Sequence, residues 1–129
     1  MQIREVSTDR LAVPVTTVLV VEDEVMLGLL VSESLADEGF EVLTAANADQ
    51  AIEILESRDD ISTIFTDVEM PGSMDGLKLA KAVSDRWPPV NIVITTGKTR
   101  PQTDKMPKKS LFVPKPYHTA DVVNAIRAF

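Results

Sequence analysis

The chain contains no cysteine. It can therefore build neither a disulfide nor a thiolate metal site, and a reducing compartment suits it without being demanded. Basic residues are scarce as well: thirteen Lys and Arg stand against twenty Asp and Glu, a net charge of −7 that opposes nonspecific attraction to DNA or anionic lipid. No apolar run approaches the roughly 20 residues of a membrane span. The opening stretch, "MQIREVSTDRLAVPV", is mixed in charge and lacks the apolar centre of a secretory signal. No internal repeat or low-complexity tract is evident. The expectation is a soluble, cytoplasmic protein that binds neither DNA nor membrane directly. What the chain does have is 129 residues that are 44% hydrophobic, enough for one real core and one compact domain.

The apolar residues fall into alternating patterns. After Pro14, Val15 to Val21 form a short β-branched run of the kind seen in a strand buried on both faces. From Glu24 to Glu38 the residues Val25, Leu27, Leu29, Leu30, Val31, Leu35 and Ala36 recur at mostly helical spacing, and Gly39 suits a left-handed helix end. Glu41 to Ala46 read as a second strand. Asn47 can cap a helix whose Ala51, Ile52 and Leu55 share one side. The cycle repeats with a strand at Ile61 to Thr66, a loop at "MPGSMDG", a helix from about Leu77 to Trp87, and a strand at Val90 to Thr95. The next helical slot, Gly97 to Ser110, has two prolines and only Met106 as a large apolar side chain, so a short turn of helix is the most it can support. "LFVPKPY" supplies a last strand, and Thr119 can cap a last helix with Val122, Val123, Ala125, Ile126 and Phe129 on its apolar face.

Such alternation predicts a parallel sheet covered by helices on both faces, with right-handed crossovers and a site beyond the carboxyl ends of the strands. Those ends carry Glu22 and Asp23, then Asp67, Thr95 and Lys115. Three carboxylates brought together repel unless a cation neutralises them, and an all-oxygen site with few protein ligands suits Mg2+. Asp67 can then attack phosphorus to give an aspartyl phosphate, with Lys115 offsetting charge on the transferred oxygens and Thr95 donating a hydrogen bond to one of them. Thr96 sits next to Thr95, and a slip of one residue would exchange their roles.

"VLVVEDE", "TDVEMPGSMDG", "VITTG" and "VPKP", in that order and spacing from about Val18 to Phe129, resemble the receiver domain of two-component response regulators. Stand-alone receivers of alphaproteobacteria, with a weakened segment after a Thr-Gly, are the most similar. The resemblance implies a flavodoxin-like fold over residues 15–129, a doubly wound five-stranded parallel sheet of order 2-1-3-4-5 with a weak fourth helix, preceded by an N-terminal extension over residues 1–14. It implies that a histidine kinase or histidine phosphotransfer protein phosphorylates Asp67. Glu22 and Asp23 would match the acidic pair for Mg2+, with Asp23 the direct ligand, and the backbone carbonyl of Glu69 would face the metal. Thr95 would match the switch hydroxyl and Phe112 the switch aromatic, and the Lys115–Pro116 bond would be cis. The expected activity is that of a phosphoacceptor switch, not of an enzyme with turnover.

Three departures stand beside these matches. Glu22 occupies a position where Asp is common, Ser73 lengthens the loop after Asp67 by one residue, and the fourth helix is poor. Since the chain given ends with the last receiver helix, the expected output is through a separate protein, through a homodimer, or through onward phosphate transfer. Two other functions remain open on the residues alone: a small aspartyl-phosphate phosphohydrolase, suggested by Asp67-x-Glu69, and a flavin carrier, which the acidic "VEDEVM" disfavours.

Overall fold

The computed structural model describes residues 15–98 and 100–129; the extension expected over residues 1–14 lies outside the described residues. Five strands, β1 (Thr17–Val21), β2 (Glu41–Ala45), β3 (Thr63–Asp67), β4 (Asn91–Thr96) and β5 (Ser110–Pro114), alternate with helices α1 (Val25–Asp37), α2 (Ala48–Ser57), α3 (Gly76–Arg86) and α4 (Thr119–Arg127). All pairings are parallel and the order is β2-β1-β3-β4-β5, the flavodoxin-like arrangement expected. Winding reverses between β1 and β3, and their carboxyl ends therefore face one open crevice.

The period-two alternation of the strands divides the core in two. Leu19, Val21, Ile64, Ile92 and Ile94 pack with Ala48, Ala51 and Leu55 of α2 and Leu79, Ala80 and Val83 of α3. Val18, Val20, Phe65, Val93 and Val113 face the other way, toward Val31 and Leu35 of α1 and Val122, Val123 and Ile126 of α4. Both faces of the sheet are covered, which is why these strands read as unbroken apolar runs.

Local chemistry fixes the helix ends. Gly39 has φ +99° at the end of α1, a region where glycine carries no side-chain penalty. The Asn47 side chain accepts from Gln50 N at 2.9 Å and the Asp75 side chain from Lys78 N at 2.9 Å, each satisfying a free donor in a first turn. At α4 the cap is His118, one residue before the expected Thr119. The Asp121 carboxylate accepts from His118 N at 3.0 Å, and Thr119 becomes the first helical residue.

Helix α1 forms where expected, with more apolar residues than it buries. Its buried residues are Gly28, Val31 and Leu35, whereas Val25, Met26, Leu29 and Leu30 are 77%, 68%, 50% and 57% exposed. A helix resting on one sheet buries a single stripe, and the apolar residues of α1 run well beyond it. Between β4 and β5 the chain forms, among the described residues, a short 3-10 turn at Thr103–Lys105, in keeping with its lack of an apolar stripe. Met106 anchors this segment against the α2/α3 side of the core. No described helix is long and apolar enough to cross a membrane.

Candidate functional site

Asp67 is the last residue of β3 and is only 3% exposed. The backbone around it is held from both sides: Val68 N donates to Thr95 O at 2.9 Å, and Gly76 N donates to Val68 O at 2.9 Å. Gly76 opens α3 directly against this strand end. A Cβ placed on it would lie 1.9 Å from the Asp67 carbonyl oxygen, a distance no side chain tolerates. The Asp75-Gly76 pair therefore does two jobs, capping α3 and letting its first turn reach the strand that carries the buried carboxylate.

The charges converge as the sequence predicted. Carboxylate oxygens of Glu22, Asp23 and Asp67 all lie within 4.8 Å of one another, with Asp23 the least buried of the three. The Lys115 ammonium donates to Asp67 Oδ2 at 2.6 Å and stands 3.8 Å from Glu22 Oε1. Glu69 N donates to Asp67 Oδ1 at 3.1 Å, so each Asp67 oxygen has a donor. Glu22 continues β1 through Glu22 N to Ala45 O at 3.0 Å, and its side chain accepts from Glu24 N at 3.0 Å.

This crowding shifts protonation. Burial, aided by the Asp67 charge and opposed by the Glu24 amide and Lys115, pushes the Glu22 carboxyl up from 4.5 to about 7. For Lys115, burial pulls downward, but the hydrogen bond to Asp67 and the charges of Asp67 and Glu22 outweigh it and hold the ammonium above its usual value. Tyr117, pushed up to about 12 mainly by burial and then by Glu22, packs edge-on against Phe65 with centroids 5.6 Å apart. Three carboxylates facing one ammonium form an oxygen-only set with negative charge to spare, which fits a hard divalent cation that keeps most of its waters.

The two threonines part company. Thr95 pairs in register with Asp67 and is 1% exposed, yet its hydroxyl has no hydrogen-bond partner. By strand alternation it shares the α1/α4 face with Val93. Thr96 follows Ile92 and Ile94 onto the α2/α3 face, donates to Glu69 Oε2 at 2.5 Å and accepts from Lys98 N at 3.0 Å. Phe112 pairs in register with Ile94 and is half-buried, with the Arg100 guanidinium 5.3 Å from its ring centroid. The Lys115–Pro116 bond is cis. His118 is exposed at the start of α4.

Sequence reasoning overlooked Gly76, the Glu69 side chain and Tyr117. The first had a signal, an Asp-Gly pair just before an apolar helical pattern. The other two had none, because their places depend on how separate strand ends meet.

Several known proteins resemble this chain. The profile of the response regulator receiver domain matches residues 18–127. Putative NtrX-like response regulators of Rickettsia felis and Rickettsia conorii are each 37% identical over 81 residues, which is 62% of this chain and 17% of theirs. The chain thus corresponds to a small part of those longer relatives. Among solved structures, a response regulator receiver protein from Sinorhizobium medicae is 27% identical with a TM-score of 0.82, over 88% of this chain and 93% of the other. Thermotoga maritima TrrA, in complex with Mg2+ and BeF, is 25% identical with a TM-score of 0.77, over 88% and 97%. Vibrio cholerae CheY4 is 26% identical with a TM-score of 0.79, over 89% and 98%.

Proposed function

Since the chain belongs to the response regulator receiver domain family, we propose that Asp67 accepts a phosphoryl group from a histidine kinase or histidine phosphotransfer protein and that this addition switches the affinity of the domain for a partner. The observation that carries the proposal is the setting of Asp67. It is a buried carboxylate at a strand end, 2.6 Å from Lys115 and within 4.8 Å of two further carboxylates.

In the transfer an Asp67 oxygen forms the new bond to phosphorus while the phosphorus–nitrogen bond of the donor breaks, with the donor imidazole as leaving group. Glu22, Asp23, Asp67 and the backbone carbonyl of Glu69 would hold Mg2+, which when bound supplies positive charge to the transferred oxygens. Lys115 balances the remaining charge, and its contact with Glu22 keeps it at the site when Asp67 Oδ2 gives up its hydrogen bond. We assign the switch hydroxyl to Thr96 in place of the expected Thr95. Thr96 shares a sheet face with Phe112 and touches the loop after Asp67, while Thr95 lies on the opposite face. Phe112 then answers Thr96 as the switch aromatic.

The donor has to reach this rim. Val25 and Leu29 line a cleft with Glu22, and with Met26 and Leu30 they expose the apolar surface that α1 does not bury. We therefore place the donor against α1, continuous with the site its histidine must enter. Output passes from the Phe112 side to a separate protein in the cytoplasm. The family match favours this switch over a phosphohydrolase.

Incubation with acetyl phosphate and Mg2+, followed by mass spectrometric mapping, tests the reading. One phosphoryl group is expected on Asp67 and none in Asp67→Asn. Undiminished uptake by the variant overturns it.

A further inference from the structure

We propose that the Glu69 side chain is a latch: it holds the hydroxyl of Thr96 away from the phosphoryl position and so sets how readily a phosphate on Asp67 becomes a change of conformation. A hydroxyl has one proton to donate. In this structure that proton goes to Glu69 Oε2, at 2.5 Å, while the oxygen accepts from Lys98 N at 3.0 Å. Thr96 is 2% exposed, so its hydroxyl has protein partners in place of bulk water. Glu69 is tied to the nucleophile in its turn, since its amide donates to Asp67 Oδ1 at 3.1 Å.

A phosphoryl oxygen on Asp67 and the Glu69 carboxyl oxygens would thus be two anionic acceptors competing for one donor. Whichever takes it leaves the other without that bond, and hydrogen bonds to charged acceptors are among the strong ones. Thr96 shares the α2/α3 face with Ile94, the register partner of Phe112. Release of Thr96 by Glu69 is therefore the event that frees the Phe112 side to respond. The spacing Asp67-x-Glu69 places the competitor beside the nucleophile, and a side chain as short as alanine at residue 69 offers Thr96 no acceptor. This inference rests on Asp67 being the phosphoacceptor.

Beryllofluoride, a phosphoryl mimic, tests the latch in the presence of Mg2+, with its dissociation constant read in every variant from the NMR signal of the Val68 amide. Glu69→Ala is expected to bind it about tenfold more tightly, equivalent to about 1.4 kcal/mol. Thr96→Val is expected to bind more weakly, and Thr96→Ser, which keeps the hydroxyl, within about threefold of the native chain. The decisive comparison is the double variant: in the Thr96→Val background Glu69→Ala should change affinity less than about twofold. Equal tightening in both backgrounds would mean that Glu69 acts only by its charge, and the latch is overturned. It is also overturned if Thr95→Val weakens binding and Thr96→Val does not.

A second measurement needs no phosphoryl mimic. Side-chain couplings of Thr96 in the free protein should shift toward other rotamers in Glu69→Ala, with Thr95 unchanged. Unaltered Thr96 couplings sink the latch even if Asp67 is phosphorylated normally. Altered couplings in a protein that never takes up phosphate would instead remove the phosphorylation reading and leave the contact as structure alone.

Discussion

The connection after β3 and the connection after β4 leave neighbouring strand ends and are built in opposite ways. From Val68 to Asp75 the chain is fastened at close intervals. Val68 bonds to Thr95, Glu69 to Asp67, Gly76 back to Val68, and Ser73 Oγ donates to Asp49 Oδ1 at 2.6 Å. The connection from Gly97 to Lys109 carries Lys98, Arg100, Asp104, Lys105, Lys108 and Lys109, all exposed, around what is, among the described residues, one 3-10 turn. Its apolar hold on the core is Met106, and Arg100 rests on the Phe112 ring. The difference suits the proposed function, in which a nucleophile must be held in place to within a fraction of an ångström and a segment that answers it must rearrange without losing much packing.

Substitutions can strain this contrast, and the largest effect belongs to the fastened side. Gly76→Ala forces a Cβ against the Asp67 carbonyl, backbone that cannot swing aside. Urea unfolding is expected to show a loss of about 3 kcal/mol, the upper end for overpacking, and phosphorylation of Asp67 should fall with it. A loss under about 0.5 kcal/mol would show that the connection is not rigid.

Next comes Lys115→Ala. Breaking a well-buried ion pair costs about 3–5 kcal/mol, but the Lys115 side chain is 20% exposed, so about 2 kcal/mol is expected without divalent cation. Added Mg2+ should recover part of it.

The third test uses protons. Glu22 has its pKa raised to about 7 in the fold against 4.5 in a free chain. Its contribution to stability without metal is therefore complete below about pH 4.5 and is lost as pH rises through about 7. Binding of Mg2+ requires the charged form, so its affinity should climb over the same interval and level off above it. A titration series across that range should show the rise, and Glu22→Gln should flatten it.

The smallest effect lies in the open connection. Lys109 adopts φ +67° just before β5. Lys109→Gly relieves that strain but loosens the unfolded chain, so the net change is expected within about 0.5 kcal/mol. A change of several kcal/mol would mean that the two connections are equally fastened.

Much of this is legible in the sequence. The strands were visible because both sheet faces are covered, and Asp67, Asp23, Glu22 and Lys115 were visible because charge directly after an apolar run marks a strand end. The feeble segment after β4 was visible from its lack of apolar residues. The sequence left a choice open where one pattern admits two packings. Val25, Leu29 and Leu30 fit a helical stripe as well as Val31 and Leu35 do, but only the latter two meet the sheet. Adjacent threonines are alike in composition, and the strand pleat alone sends Thr95 to one face and Thr96 to the other.

By itself, then, the sequence determined the order of elements, the residue types at each strand end and the charge that makes a cation welcome there, because all of these follow from local periodicity and chemistry. The tertiary structure decided that Gly76 must be glycine, that Glu69 accepts the hydrogen bond of Thr96, and that α1 leaves Val25, Met26, Leu29 and Leu30 exposed. Each of these is set by distances between segments far apart in the chain, and no local pattern encodes a distance.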